Sequence, residues 1–116
     1  MTTPPLAVTS QPVAADVAVI TVAGELDHDT VALLRDEITA SQQRGCHRLV
    51  CDLAGLTFCD SGGMGLFVDT HRTTGEHGGW LRLAGASPQI RRLFGLVALD
   101  RLLDFRDNTD AALADV

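Results

Sequence analysis

The residues best suited to chemistry lie in one short segment, Phe58-Cys59-Asp60-Ser61-Gly62-Gly63-Met64-Gly65. A serine hydroxyl can accept a phosphoryl group, and the glycines beside it leave backbone N–H groups uncovered at the start of a predicted helix. The helix dipole adds positive potential at that point, so the site would tolerate a phosphate carrying roughly −1.5 to −2 charges at pH 7. The segment favours a modifiable serine, but it is also typical of the commoner serine that only caps a helix.

Hydrolytic chemistry fits this segment poorly. The string Asp-Ser-Gly-Gly also surrounds the nucleophile of chymotrypsin-like proteases, but those are larger all-β proteins, whereas this chain of 116 residues alternates strands and helices. The Gly-x-Ser-x-Gly elbow of α/β-hydrolases is absent because Cys59 holds the first glycine position. We therefore predict no catalytic residue and expect the chain not to be an enzyme.

The charge of the chain indicates which kind of partner it binds. The net charge is −6, and the nine basic residues are scattered singly or in pairs along the chain. Nucleic acid prefers a clustered basic surface, so we expect no direct nucleic-acid binding, and an acidic surface suits a basic protein partner better. No long apolar run and no secretory leader pattern is present, so we expect a cytoplasmic protein with no membrane contact.

No cofactor or metal site is predicted. The three cysteines lack CxxC spacing, and the four histidines share no spacing that would place a ligand set on one helix face. Cys51 lies among apolar neighbours in a predicted strand, where a small core residue is the better interpretation. A glycine-rich phosphate loop of the Walker type is also absent, so any nucleotide in the mechanism would be held by another protein.

Strand and helix patterns alternate along the chain. Strands are predicted over 6–9, 17–23, 49–53, 80–84 and 102–105, and a frayed start over 1–5. The first helix is predicted to follow a cap at Asp27 or Asp29, and the others are predicted to begin at about Ser61, Pro88 and Thr109, with Ser87 and Asn108 as caps of the last two. Residues 54–60 are predicted to form a loop. This order predicts an α/β fold with a mixed, mostly parallel sheet of four to five strands.

Two of the predicted helices have apolar stripes that should face the sheet. In the first, Val31, Leu34 and Ile38 recur at helical spacing. In the second, the predicted buried stripe is Met64, Phe67, Val68 and His71.

A second polar segment should lie close to Ser61. Asp27 and His28 follow the carboxyl end of a predicted strand, as Ser61 does, and such ends meet at one edge of a parallel sheet. Together they would form an acidic surface for a basic partner, although Asp27 could equally serve only as a helix cap. The predicted partner-binding residues are Asp27, His28, Asp60, Ser61, Gly62, Gly63 and Met64.

Four segments together resemble the STAS-domain anti-sigma-factor antagonists. They are Gly24-Glu25-Leu26-Asp27 with His28 and Thr30, Leu49-Val50-Cys51-Asp52-Leu53 with Phe58, Asp60-Ser61-Gly62-Gly63-Met64-Gly65, and Ser87-Pro88 with Arg91-Arg92-Leu93-Phe94. The resemblance covers nearly the whole chain and rests on the order and spacing of the four. It implies one STAS domain over residues 1–116, with about four helices packed mainly on one side of the sheet.

The resemblance implies a phosphorylation switch at Ser61. In this family the unphosphorylated protein binds an anti-sigma factor and so releases a sigma factor. The anti-sigma factor is a serine kinase of the histidine-kinase-like ATPase type that holds ATP and Mg²⁺ itself, and a serine phosphatase restores the active form. The family usually has a second hydroxyl residue after the phosphoacceptor, and Gly62 stands there in this chain.

A different regulatory role is the main alternative. The chain could be a STAS interaction subunit that is not phosphorylated in use, as in a lipid-transport or stress-signalling assembly. The aspartate and serine at the helix start favour the phosphorylated switch. A neighbouring gene for a histidine-kinase-like ATPase would support that switch, and a transporter operon would support the alternative.

Overall fold

A computed structural model describes residues 5–116 and contains alternating strands and helices. The strands are β1 (Leu6–Ala14), β2 (Val17–Leu26), β3 (Arg48–Asp52), β4 (Leu56–Cys59), β5 (Trp80–Ala84) and β6 (Asp104–Arg106). The helices are α1 (Val31–Gln43), α2 (Ser61–Glu76), α3 (Pro88–Leu96) and α4 (Thr109–Ala112), with a 3-10 turn at Leu99–Arg101. Within this range, every helix is too short or too polar to cross a bilayer.

The strands form one mixed sheet in the order β1-β2-β3-β5-β6, with β4 beside the far end of β2. Only β1 and β2 pair antiparallel, and the remaining pairs are parallel, which confirms the predicted sheet type. The frayed start predicted over 1–5 lies mostly outside the described residues. Pro5, which is described, is fixed to the sheet because its carbonyl accepts a hydrogen bond from the Glu25 N–H at 2.7 Å.

The sheet has one strand more than predicted, because part of the predicted loop over 54–60 is β4. β3 pairs with β2 only from Val17 to Thr21, so the end of β2 has a free edge. β2 continues beyond its predicted end to Leu26, and β4 pairs in parallel with this extension. The buried side chains of Leu56 and Cys59 stabilise the additional strand.

Helices α1, α2 and α3 cover one face of the sheet and build the main core. The predicted stripe of α1 is confirmed for Leu34 and Ile38, and Val31 packs at its margin.

The predicted stripe of α2 is confirmed for Phe67, Met64 packs at its margin, and the prediction is wrong for Val68 and His71. The helix instead buries the following set: Gly63, Leu66, Phe67, Thr70 and Thr74. The two threonines can be buried because their hydroxyls donate within the helix, Thr70 to the Leu66 carbonyl at 2.7 Å and Thr74 to the Thr70 carbonyl at 2.9 Å.

In the last third of the chain, the predicted helix caps are present, but some helix and strand boundaries differ from the prediction. The Ser87 hydroxyl accepts from the Ile90 N–H at 3.2 Å, and the Asn108 side chain accepts from the Ala111 N–H at 2.8 Å, so both caps are confirmed. Helix α3 continues through Gly95, a residue type that favours a helix end, and ends at Leu96. The last strand begins at Asp104, two residues later than predicted, because the N–H groups of Leu102 and Leu103 still donate back to the Leu99 carbonyl, at 3.2 and 2.9 Å.

Helix α4 packs on the opposite face of the sheet, against Val50 and Ala84. Arg82 lies beneath it with 7% of its surface exposed, and its guanidinium carbon is 3.7 Å from the centre of the Trp80 ring. The guanidinium donates to both carboxylate oxygens of Asp115, at 2.6 and 2.9 Å, and to the Ala112 carbonyl at 2.9 Å. This buried arginine therefore fixes the C-terminal segment to the sheet.

Two aspartates should make the fold sensitive to acid. Hydrogen bonds from Arg82 and Arg48 lower the pKa of Asp115 and Asp16, respectively, below the usual value for aspartate. A carboxyl group with a lowered folded-state pKa contributes stability above its unfolded-state pKa, and that stability is lost as the pH falls. We expect the urea concentration at the unfolding midpoint to decrease as the pH is lowered below about 4. The decrease should be smaller in the double variant Asp16→Asn/Asp115→Asn. Asp36→Asn, an exposed change on α1, is the control, and equal pH slopes in the double variant and the wild type would contradict the prediction.

Candidate functional site at the start of helix α2

Ser61 is the first residue of α2 and is exposed. The helix is capped by its neighbour: Asp60 Oδ1 accepts from the Gly63 N–H at 2.9 Å, and the Asp60 carbonyl accepts from the Met64 N–H at 3.0 Å. Within residues 5–116 the Ser61 hydroxyl has no hydrogen-bonding partner. The interpretation of Ser61 as a simple cap is therefore wrong, because Asp60 is the cap and the serine hydroxyl is free.

Gly62 and Gly63 differ in their roles. Gly62 is exposed, and a Cβ there would contact only Asp60 Oδ1, at 3.4 Å. Gly63 is buried, and a Cβ there would lie 2.8 Å from Leu26 and 2.9 Å from the Cys59 sulfur. Gly63 thus allows α2 to pack closely on the ends of β2 and β4. It is not accessible to a partner, which corrects the prediction that it contacts one.

The segment that contains Asp27 forms a hydrogen-bonded turn into α1. Asp27 Oδ1 accepts from the N–H groups of Asp29 and Thr30, at 3.0 and 3.2 Å, and its carbonyl accepts from the Val31 N–H at 2.8 Å. The buried Thr30 hydroxyl donates to the Glu25 carbonyl at 2.8 Å. The N-cap residue of α1 is Thr30, and no side chain caps the helix, so the prediction that Asp27 or Asp29 caps it is wrong. Asp27 instead closes the turn that precedes the helix, and Thr30 anchors that turn, a role with no clear signal in the sequence.

The Asp27 and Ser61 segments begin at the same edge of the sheet. Leu26 pairs with Cys59, and the Asp60 N–H donates to the Leu26 carbonyl at 3.0 Å. His28 lies on this edge with its side chain 85% exposed, 3.4 Å from an Asp29 carboxylate oxygen. The edge thus presents acidic side chains beside the serine, as expected from the strand order.

We assign neither metal binding to the turn formed by Asp27, His28 and Asp29 nor nucleophilic catalysis to the Cys59 thiol. Possible ligand atoms of Asp27, His28 and Asp29 lie within 4.8 Å of one another, but Asp27 Oδ1 already accepts two backbone N–H groups, and we assign no metal to this exposed turn. Burial raises the pKa of the Cys59 thiol to about 12, so it stays protonated near neutral pH and is a poor nucleophile. Cys51 is fully buried, as its pattern predicts.

An apolar groove of about 340 Å³ begins at Ser61. Met64, Gly65 and Val68 form one wall, and Val97 and Leu99 form the other. Val97 and Leu99 were not among the predicted site residues, although the run Leu96-Val97-Ala98-Leu99 at the end of an amphipathic helix could have indicated exposed apolar residues. A larger cleft of about 570 Å³ lies beside the last turns of α2 and Trp80, and it contains none of the predicted site residues.

Comparisons with known proteins agree with this architecture. The family model described as the STAS domain matches residues 9–112. An anti-sigma F factor antagonist from Paenibacillus polymyxa is 30% identical over 101 residues, which cover 86% of each chain. The crystal structure of an anti-sigma factor antagonist from Mycobacterium paratuberculosis superposes with a TM-score of 0.85 and 26% identity over 100% of this chain and 98% of that one.

A solved relative in a modified form also matches. The structure of the Bacillus cell fate determinant SpoIIAA in the phosphorylated form has a TM-score of 0.70 and 27% identity, over 90% of this chain and 96% of that one. The family match includes all four of the segments on which the sequence resemblance rests. This chain therefore belongs to the STAS domain family.

Proposed function

We propose that this protein is an anti-sigma-factor antagonist that is switched by phosphorylation of Ser61. The observation that carries the proposal is the capping arrangement, in which Asp60 caps α2 and the exposed Ser61 hydroxyl has no partner among residues 5–116. A kinase can reach such a hydroxyl without unfolding the helix. The similarity to antagonists of anti-sigma factors, one of them solved in a phosphorylated form, supports the same role.

The partner is an anti-sigma factor that is also a serine kinase of the histidine-kinase-like ATPase type. It binds the exposed edge formed by Asp27, His28, Asp60, Ser61 and Gly62, with Met64 at the margin. A basic partner surface complements this edge, since the whole chain carries a net charge of −6. The kinase supplies ATP and Mg²⁺, so this chain needs no cofactor of its own, acts as ligand and substrate rather than as an enzyme, and works in the cytoplasm.

Phosphorylation changes the surface without changing the fold. The phosphate would stand at the first residue of α2, where the positive end of the helix dipole tolerates it. It adds roughly −1.5 to −2 charges to an already acidic edge and enlarges the side chain at the contact. Both effects dissociate the anti-sigma factor, which then binds its sigma factor again. A serine phosphatase removes the phosphate and restores binding.

The modification itself can be tested directly. The protein is incubated with the candidate kinase, ATP and Mg²⁺, and the phosphorylated residue is located by mass spectrometry, with Ser61→Ala as the control. We expect one phosphate, at Ser61, and none in the variant. Phosphate on another residue with Ser61 unmodified would contradict the proposal, and no transfer at all would favour an unphosphorylated STAS interaction subunit. Inertness of the protein to a fluorophosphonate probe would exclude a serine hydrolase.

A further inference from the structure

The groove beside Ser61 is part of a larger apolar surface. Leu96 and Val97, at the end of α3, have 76% and 58% of their surfaces exposed. They lie outside the buried stripe of that helix, which consists of Ile90 and Phe94. The next residue, Ala98, has φ of 61° and ψ of 19°, a left-handed conformation that alanine rarely adopts. The chain therefore keeps an unfavourable backbone conformation at the point between Val97 and Leu99, the two residues that form one groove wall.

Gly65, on the opposite wall, is not required by the fold. Apart from its chain neighbours and the backbone of its own helix, a Cβ at this position would meet nothing within 4 Å, and the φ of Gly65 is not positive. Alanine there would stabilise the helix, because glycine is a poor helix former. The open space in front of Gly65 belongs to the groove, so this glycine enlarges the groove rather than allowing close packing.

We propose that this groove binds an apolar side chain of the anti-sigma factor when the kinase engages Ser61. This inference rests on the proposed function and adds the residues that determine affinity. Ser61 is itself one of the residues that line the groove, so an occupant of the groove would lie next to the phosphoacceptor residue. Its one charged member, Asp69, is paired with Arg72 at 2.8 Å, so an aliphatic or aromatic occupant suits the walls better than a charged one. Buried apolar side chains in such pockets are common affinity determinants of protein interfaces.

The groove also explains how one phosphate can dissociate a complex. An apolar side chain that fills the groove must exclude water from the groove mouth. A phosphate at Ser61 would hold water there, because burying its charge without a counter-charge is strongly unfavourable. Phosphorylation therefore prevents the groove from being filled, in addition to repelling acidic groups.

Two alanine variants in the same helix test the groove. Gly65→Ala adds a methyl group to the groove wall, whereas Gly75→Ala adds one in the last turns of α2, where a Cβ also meets nothing within 4 Å. We expect both variants to be at least as stable as the wild type in urea. In calorimetric titrations with the kinase used for the phosphosite mapping, we expect Gly65→Ala to weaken affinity about 10-fold or more and Gly75→Ala to change it less than about 2-fold.

A second groove variant, outside α2, distinguishes a change in the groove from a change in the helix itself. Val97→Ser removes an exposed apolar side chain just after the end of α3. It should weaken binding to the kinase about 5-fold or more and leave the urea midpoint unchanged. If Gly65→Ala and Val97→Ser bind like the wild type while Ser61→Asp does not bind, the groove proposal is overturned and the proposed function stands. If the wild type neither binds the kinase nor receives phosphate at Ser61, both are overturned.

Discussion

Phosphorylation of Ser61 should weaken binding to the anti-sigma factor at least about 100-fold, whereas Ser61→Ala should bind like the wild type. The hydroxyl is exposed and makes no hydrogen bond within the described residues, so its removal changes neither the fold nor the contact surface substantially. The phosphate, in contrast, places a near-dianion beside Asp27 and Asp60 at the mouth of the apolar groove. A loss of affinity of this size follows because like charges are brought together at the interface and water is retained in the groove.

The binding measurement needs controls for charge and for folding. Ser61→Asp adds one negative charge at the site, and Gln43→Glu adds one at the far end of α1. We expect Ser61→Asp to bind weakly and Gln43→Glu to bind within about 2-fold of the wild type, since distant exposed charges are screened by salt. Urea midpoints should stay close to the wild-type value in all three variants. Phosphorylated protein that binds within about 3-fold of the unmodified form would contradict the proposed switch.

Gly79→Ala should lower the free energy of unfolding by at least about 3 kcal/mol. A Cβ at position 79 would lie 1.8 Å from the His47 carbonyl oxygen and 2.5 Å from its carbon. That carbonyl accepts a hydrogen bond from the Trp80 N–H at 3.0 Å, next to the paired residues Arg48 and Trp80. A side chain could rotate away from the new methyl group, but a backbone carbonyl cannot, so β3 and β5 would have to separate at this end.

Urea denaturation measures this effect against a matched control. Gly75→Ala places a methyl group in open space within a helix, and we expect it to raise stability by up to about 1 kcal/mol. The two substitutions are chemically identical and four positions apart, so a loss of stability in Gly79→Ala with none in Gly75→Ala reports the strand contact. A Gly79→Ala midpoint equal to that of the wild type would show that β3 and β5 can separate here without loss.

The glycines illustrate what could be predicted from the sequence. Gly75 and Gly78-Gly79 in the sequence favour a helix end in this region, and α2 continues through Gly75 and ends at Glu76. Their separate roles depend on three-dimensional neighbours: Gly78 has a φ of +75°, and Gly79 allows the close approach of β3. Local sequence indicates that glycine ends the helix, but not which strand passes beside it.

Capping and strand order were predicted because their causes are local or topological. Ser87 and Asn108 cap helices through side chains three residues from their partners. The Ser61 and Asp27 segments meet because both follow parallel strands that end at one edge. By contrast, β4 forms only because the end of β2 lacks a neighbour, and that long-range pairing leaves little pattern in residues 56–59.

The apolar groove could not be predicted from the sequence, because its two walls come together only in the tertiary structure. One wall comes from the first turns of α2 and the other from the connection after α3, where a strand was expected to start at residue 102. The buried stripe of α2 was misplaced for a related reason. Met64 and Val68 are apolar but lie at the groove, whereas Thr70 and Thr74 are buried because the helix satisfies their hydroxyls.

Sigma-factor release tests the central claim most directly. A complex of the anti-sigma factor and its sigma factor is titrated with this protein, first unphosphorylated, then phosphorylated at Ser61, and finally after phosphatase treatment. We predict that the unphosphorylated protein releases the sigma factor, that the phosphorylated protein does not, and that dephosphorylation restores release. Equal release by the unphosphorylated and the phosphorylated protein would contradict the role of Ser61 as the switch.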